Sequence, residues 1–204
     1  MKIICVGRNY AKHIEELANE KPKEPVLFIK PDSAILPKKN PLYLPDFSND
    51  FHYEVEIAVR ISKIGKYIEP QFASRYYDAI GLGIDITARD LQSRLKAKGL
   101  PWEKAKAFHN SAVISETFIP ISEIKDVNDI LFSLVKNGET VQKGHTAEML
   151  WKIDELIVYI SRYFMLKKGD IIFTGTPSGV GKMEIGDNYK GYIGDWEMFS
   201  VNVK

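Results

Sequence analysis

The chain has 204 residues, 45% hydrophobic and 27% charged, enough to bury one sizeable core. Its 28 Lys plus Arg against 27 Asp plus Glu leave a formal net charge of +1, which gives no reason to expect a nucleic-acid partner. No window approaches the ~20 apolar residues that span a bilayer, and the apolar start Ile3-Ile4-Cys5-Val6 is too short for a signal peptide, so a cytoplasmic protein is expected.

Residues 2–6 read as a short buried strand, with the single cysteine, Cys5, as a small core residue rather than a reactive thiol. Tyr10 to Ala18 carry a helical pattern, ended by Pro22 and Pro25. Val26 to Ile29 form the next expected strand. Pro31, Pro37, Pro41 and Pro45 make residues 31–50 an extended, turn-rich segment. His52 to Arg60 is a β-rich run, Gln71 to Tyr77 a helix and Ala79 to Ile86 a glycine-containing strand. Thr87 to Lys98 is an amphipathic helix, with Thr87 as its expected N-cap and Asp90 completing a variant of the capping box. Asn137-Gly138 predicts a hairpin turn between Leu131–Lys136 and Thr140–Gln142. A helix over 153–164, with Leu156, Ile157, Ile160 and Phe164 on one face, precedes a strand at 170–173. One or two more strands follow from 192 to 203. Strands with helices set irregularly among them indicate an α+β fold rather than a doubly wound parallel sheet. No linker interrupts the pattern, so residues 1–204 are expected to form a single domain.

Glu54 and Glu56 lie two apart in a strand-like run, which puts them on one face about 7 Å apart, with Val55 and Ile57 toward the core. Two such glutamates repel unless a cation sits between them, and a hard divalent ion such as Mg²⁺ fits. The same spacing also describes a strand with one solvated face. Asp85 is out of place in the apolar run Gly81-Leu82-Gly83-Ile84-Asp85-Ile86-Thr87, and a buried carboxylate needs a partner. It could equally cap the helix that follows. Arg89 and Gln92 come next on one side of that helix, a guanidinium and an amide suited to carboxylate and keto oxygens. His13 and Glu16 stand at a helical i,i+3 spacing, which serves both surface pairs and a base oriented by a carboxylate. Gly179-Val180-Gly181-Lys182 is not a phosphate loop, because Thr176 stands where that loop needs Gly and Met183 where it needs Ser or Thr.

Taken in order, the motifs resemble the fumarylacetoacetate hydrolase family. They begin with Gly7-Arg8-Asn9-Tyr10-Ala11-x-His13 and Phe28-x-Lys30-Pro31. His52-Tyr53-Glu54-Val55-Glu56 and Asp85-Ile86-Thr87-Ala88-Arg89-Asp90-x-Gln92 are similar to the family's metal-bearing motifs. Gly99-Leu100-Pro101-Trp102-x-x-Ala105-Lys106 resembles its lysine segment, and Asn137-Gly138, Gln142, Thr146 and Met149 its hairpin region. Gly169-Asp170-Ile171-Ile172-x-Thr174-Gly175-Thr176-Pro177-x-Gly179-Val180-Gly181 is similar to its closing motif. The resemblance runs from residue 3 to about residue 200, and the length suits the compact members, acylpyruvases and oxaloacetate decarboxylases.

The resemblance implies a mixed β-sheet rolled into a barrel-like β-roll with peripheral helices, usually in a homodimer. It implies that Glu54, Glu56 and Asp85 bind Mg²⁺ or Mn²⁺ and that Lys106 stands near a developing enolate. On composition alone Lys106 would be a solvated residue in a stretch with Lys96, Lys98 and Lys104. It further implies that His13 and Glu16 form a catalytic dyad on a lid, and that Arg8, Arg89, Gln92 and Thr176 contact the substrate. His109-Asn110 and Trp151 depart from the family pattern, and substrate preference shifts if they line the pocket. The implied activity is metal-dependent cleavage of a 2-oxo or β-diketo acid, by hydrolysis of an acylpyruvate or decarboxylation of oxaloacetate. Isomerisation or hydration of a 2-hydroxydienoate is the enzymatic alternative, and a non-catalytic small-molecule binder the other.

Overall fold

The computed structural model describes residues 1–204. The chain opens with β1 (Lys2–Gly7), α1 (Ala11–Glu16) and β2 (Val26–Pro31), and continues through β3 (Phe51–Tyr53) and β4 (Val55–Ile61). Next come β5 (Tyr77–Asp85), β6 (Thr87–Ala88), α2 (Arg89–Ala97) and α3 (Glu103–Lys106). After β7 (Ala112–Ile114) and β8 (Ile119–Pro120), β9 (Leu131–Lys136) and β10 (Glu139–His145) form the hairpin. The chain closes with α4 (Ile153–Tyr163), β11 (Ile171–Phe173), β12 (Gly181–Lys182), β13 (Asn188–Ile193) and β14 (Trp196–Asn202).

The strands build a seven-stranded sheet in the order β2-β1-β11-β4-β5-β7, with β8 beside β5. A four-stranded sheet β10-β9-β13-β14 and a three-stranded one β12-β3-β6 complete the fold. The pairing of β1 with β11 is parallel and the others are antiparallel, so the main sheet is mixed, as an α+β fold allows. The sheets curl into a half-barrel, and β13 and β14 lie against β5.

β4 and β5 are central strands covered on both faces, and almost every residue in them is buried. Their apolar sequences, Val-Glu-Ile-Ala-Val and Ala-Ile-Gly-Leu-Gly-Ile, suit that position because neither face meets water. The main core gathers 39 buried residues, among them Val55, Ile57, Leu82, Ile84, Leu156 and Ile160. Cys5 belongs to a smaller buried cluster with Ile3, Ala58 and Phe173, and burial holds its thiol above the ordinary range. No helix is long and apolar enough to cross a membrane.

Asn137 and Gly138 turn the β9–β10 hairpin with φ of 51° and 89°, the positive values a two-residue primed turn requires. A register shift between Thr140 and Gln142 puts a bulge just beyond it. Three expectations change. The run 52–60 is broken at Glu54 into β3 and β4, which belong to different sheets. The helix expected at 71–77 is a 3-10 segment, Pro70–Arg75, because Tyr77 is drawn into β5. Thr87 does not cap α2; it lies in β6, paired with β3, and Ala88 is the N-cap, without a side-chain bond.

Candidate active site

The carboxylates meet through sheet register. Val55 pairs with Ile84 across β4 and β5, so Glu54 stands opposite Asp85, and the Asp85 N–H donates to the Glu54 carbonyl at 2.8 Å. Directly opposed residues share a face, as do residues two apart on one strand, and both relations place Glu54, Glu56 and Asp85 together. Their carboxylate oxygens lie within 4.8 Å of one another. All three are buried, with 4%, 3% and 0% of their surface exposed.

Such a concentration of buried charge requires compensation. Lys106 Nζ donates to Glu54 Oε2 at 2.7 Å and to Asp85 Oδ2 at 2.8 Å, and also to the Thr87 hydroxyl. Arg89 pairs with Glu54 through Nη2 and donates through Nη1 to Gln92 Oε1 at 2.7 Å. Lys30, wholly buried, sits 2.8 Å from Asp85 Oδ1 and donates to the main-chain oxygens of Lys106 and Ser111. Burial alone would raise the Glu54 pKa, but Lys106 and Arg89 hold it well below the usual carboxylate range. Burial would likewise lower Lys106, yet Asp85 and Glu54 raise it above its ordinary value, so its ammonium stays charged.

Glu56 is different. Its carboxylate accepts the Gly175 N–H at 2.7 Å and pairs with no cation. Burial, followed by repulsion from Asp85 and Glu54, pushes its pKa well above the usual range. Asp85 Oδ1, although near Lys30, accepts no hydrogen bond. Three clustered carboxylates, one lacking any positive partner, are the hard oxygen donors that Mg²⁺ or Mn²⁺ prefers, and the set fits such an ion.

These groups line a cleft of about 120 Å³, well below the ~300–1,000 Å³ of drug-sized sites, so it suits a small ligand. Of its 17 lining residues only four are hydrophobic. Arg8, His13, Arg89, Gln92, Lys106 and Thr176 all line it with the three carboxylates. Glu16 stands behind His13: its Oε2 takes the hydrogen bond from Nδ1 at 3.1 Å, which leaves Nε2 free. Its other oxygen accepts the Gly179 N–H at 2.9 Å, tying α1 to the loop that carries Thr176. His109 is exposed and bonds the Ser33 carbonyl, and Trp151 faces a separate surface groove, so neither departure from the family pattern lines the cleft.

Several residues with no expected role prove to shape the site. Lys30 is a charged residue inside an apolar strand, the same signal that singled out Asp85. Gln142, re-aimed by the bulge, accepts the Val55 N–H at 2.9 Å and donates to Thr176 Oγ1 and the Pro177 carbonyl, each at 3.0 Å. Asn9 is buried and bolts the opening motif down: Nδ2 donates to the Thr174 and Trp151 carbonyls, and Oδ1 accepts the Trp151 N–H. Gly175, at φ +101°, brings its backbone to Glu56; a Cβ there would stand 2.7 Å from that of Asn9. Asn19, Ser93, Lys96 and Trp102 also line the cleft. Only the three-dimensional path of the chain reveals these contacts.

The chain is similar in sequence and fold to known proteins. The chain is 46% identical over 187 residues to oxaloacetate tautomerase YcgM of Escherichia coli (strain K12), covering 91% of this chain and 85% of that protein. It is 44% identical over 190 residues to a mitochondrial oxaloacetate decarboxylase of Dictyostelium discoideum, covering 93% and 87%. Among solved structures, a fumarylpyruvate hydrolase from Pseudomonas aeruginosa in complex with Mn²⁺ and pyruvate superposes with a TM-score of 0.93 at 36% identity, covering 100% of this chain and 89% of that one. A fumarylacetoacetate hydrolase family protein from Yersinia pestis CO92 gives 0.95 at 41%, covering 100% and 93%. The model of the fumarylacetoacetate (FAA) hydrolase C-terminal domain matches residues 2–203, and the chain therefore belongs to the fumarylacetoacetate hydrolase family.

Proposed function

We propose that this protein is a divalent-metal-dependent enzyme that enolises a small 2-oxo acid, and cleaves it where the substrate has a bond that the enolate can break. The supporting observation is the buried triad of Glu54, Glu56 and Asp85 on the floor of a small cleft, with Glu56 lacking a cation partner. Relatives named for oxaloacetate tautomerisation, oxaloacetate decarboxylation and fumarylpyruvate hydrolysis support the same reading, since each passes through an enol or enolate of a 2-oxo acid.

The three carboxylates would hold Mg²⁺ or Mn²⁺, which supplies Lewis-acid polarisation of the keto group when bound. Lys106, fixed and charged, stabilises negative charge as it develops on the substrate. Arg89 and Gln92, locked to each other, present donors to the substrate oxygens, and the Thr176 hydroxyl faces them from the opposite loop. His13 moves the proton through Nε2, and Glu16 fixes its tautomer and stabilises the imidazolium. In enolisation His13 takes the proton from C3; in decarboxylation it returns one to C3 after CO₂ leaves; in hydrolysis it activates water. The chain acts as one catalytic domain over residues 1–204. Homodimeric assembly enters this proposal through the family resemblance, and a cytoplasmic location through the expectation read from the sequence.

The purified protein with Mg²⁺, followed by ultraviolet absorbance against oxaloacetate and acetylpyruvate, is expected to show enol–keto conversion or cleavage of at least one. Binding of Mg²⁺ without turnover of any 2-oxo acid would sink the enzyme reading and leave a small-molecule binder.

A further inference from the structure

The charges in the cleft are unevenly distributed. Lys30, Lys106 and Arg89 are each committed to Asp85 or Glu54 on the floor. Arg8 and Lys96 line the same cleft but pair with no carboxylate, and the only side-chain partner of Lys96 is the neutral Asn19 Oδ1, at 2.8 Å. Lys96 is an exposed residue, yet its pKa is lowered by partial burial and then by repulsion from Arg8 and Arg89, so these cations crowd one region. Arg8 is held there by its backbone. Its φ is +60°, an unusual conformation for a side-chain-bearing residue, and the neighbouring Asn9 side chain is anchored by three hydrogen bonds. A left-handed arginine without an acidic partner, aimed into a cleft beside a partly desolvated lysine, awaits an anion.

We propose that Arg8 and Lys96, with Asn19 and Ser93 beside them, form a second subsite that holds the distal carboxylate of a 2-oxo diacid. The inference rests on the function proposed above and specifies its substrate: the keto-acid head lies against the carboxylate floor and the tail carboxylate at the cationic mouth. A consequence for the chemistry follows. Decarboxylation of a four-carbon 2-oxo diacid breaks C3–C4, leaves the bond pair on C3 and takes the negative charge off the tail as neutral CO₂. Cations paired with that carboxylate stabilise it before the bond breaks and lose the interaction afterwards. Enolisation breaks C3–H instead: the bond pair forms C2=C3, the proton passes through His13 to the keto oxygen, and the tail keeps its charge. The subsite therefore favours proton transfer at C3 over loss of C4.

Malate and lactate share a 2-hydroxy-acid head and differ in the distal carboxylate, so their binding isolates the subsite. By calorimetry on the Mg²⁺-loaded protein, malate is expected to bind about tenfold more tightly than lactate, the scale of one charge-assisted hydrogen bond. Lys96→Met should remove most of that margin while leaving lactate unchanged, and Lys96→Arg should retain it. With oxaloacetate, Lys96→Met should raise CO₂ release relative to enol–keto conversion. Equal binding of malate and lactate by the unmodified protein, or a margin that survives Lys96→Met, would overturn the subsite. Failure of turnover with the malate margin intact would remove the enzymatic reading alone and support the subsite.

Discussion

The two glutamates of the triad, two residues apart, stand in opposite electrostatic situations. Glu54 is held between Lys106 and Arg89, whereas Glu56 has one backbone N–H and two carboxylate neighbours. Glu54, depressed below its ordinary 4.5, contributes stability that is present above that value and lost as pH falls through its folded pKa. Glu56, raised, has the reverse sign: its contribution is present below 4.5 and lost as pH rises through its folded pKa. The glutamine and alanine substitutions should therefore diverge in the metal-free protein. Glu54→Ala strips a partner from two cations and should cost about 3–5 kcal/mol, the scale of a broken buried pair. Glu56→Gln removes an unmatched charge and should raise Tm at neutral pH, by ~2–4 °C for each kcal/mol relieved. Both should abolish activity. Denaturation of both variants at pH 7 checks the pair, and a loss of stability in Glu56→Gln would contradict the charge assignment.

At the scale of elements, the site depends on one loop, the one that carries Thr176, being tied to its neighbours. Gln142 joins β4 to the Thr176 loop, and Glu16 joins α1 to the same loop at Gly179. Gln142→Leu strands the buried Val55 N–H, which should cost about 1–3 kcal/mol. It should also lower kcat/KM for oxaloacetate by more than about tenfold, because the loop loses its tether. Glu16→Gln keeps a hydrogen-bonding side chain but removes the charge behind His13. It should lower kcat by about 10²-fold with little change in KM, read from steady-state kinetics. The elements also show where sequence is legible. Asn-Gly announces its hairpin because the turn needs positive φ, and the face of α4 follows from its period. Thr87 has the local signature of a cap, but its pairing with β3 is a long-range fact that local propensity does not carry. The break at Glu54 has the same origin, since β3 and β4 serve different sheets.

Over the whole molecule, the mixed sheet performs the central task of opposing residues that are distant in sequence. Pairing of β4 with β5 makes Glu54 and Asp85 neighbours, and their burial follows from the central position of both strands. Asp85 is visible as a charged residue in an apolar strand, whereas Glu54, Glu56 and Lys106 are indicated only by the ordered motifs around them. Lys30 carries the same signal as Asp85 without a visible partner. Asn9 and Gln142 stand in the ordered motifs, but their contacts and those of Lys96 are not legible because they span 34 to 165 positions. The fold thus places a cation-seeking floor beneath a cationic mouth, an arrangement for a small acid chelated at one end. The central claim is that Glu54, Glu56 and Asp85 bind the divalent ion on which 2-oxo acid turnover depends. Its most direct test titrates Mn²⁺ into chelator-stripped protein, reading free Mn²⁺ by electron paramagnetic resonance and oxaloacetate turnover in the same samples. Binding and activity should rise together to one ion per chain, and Asp85→Ala should lose both; full activity without metal, or undiminished Mn²⁺ binding in Asp85→Ala, would contradict the account.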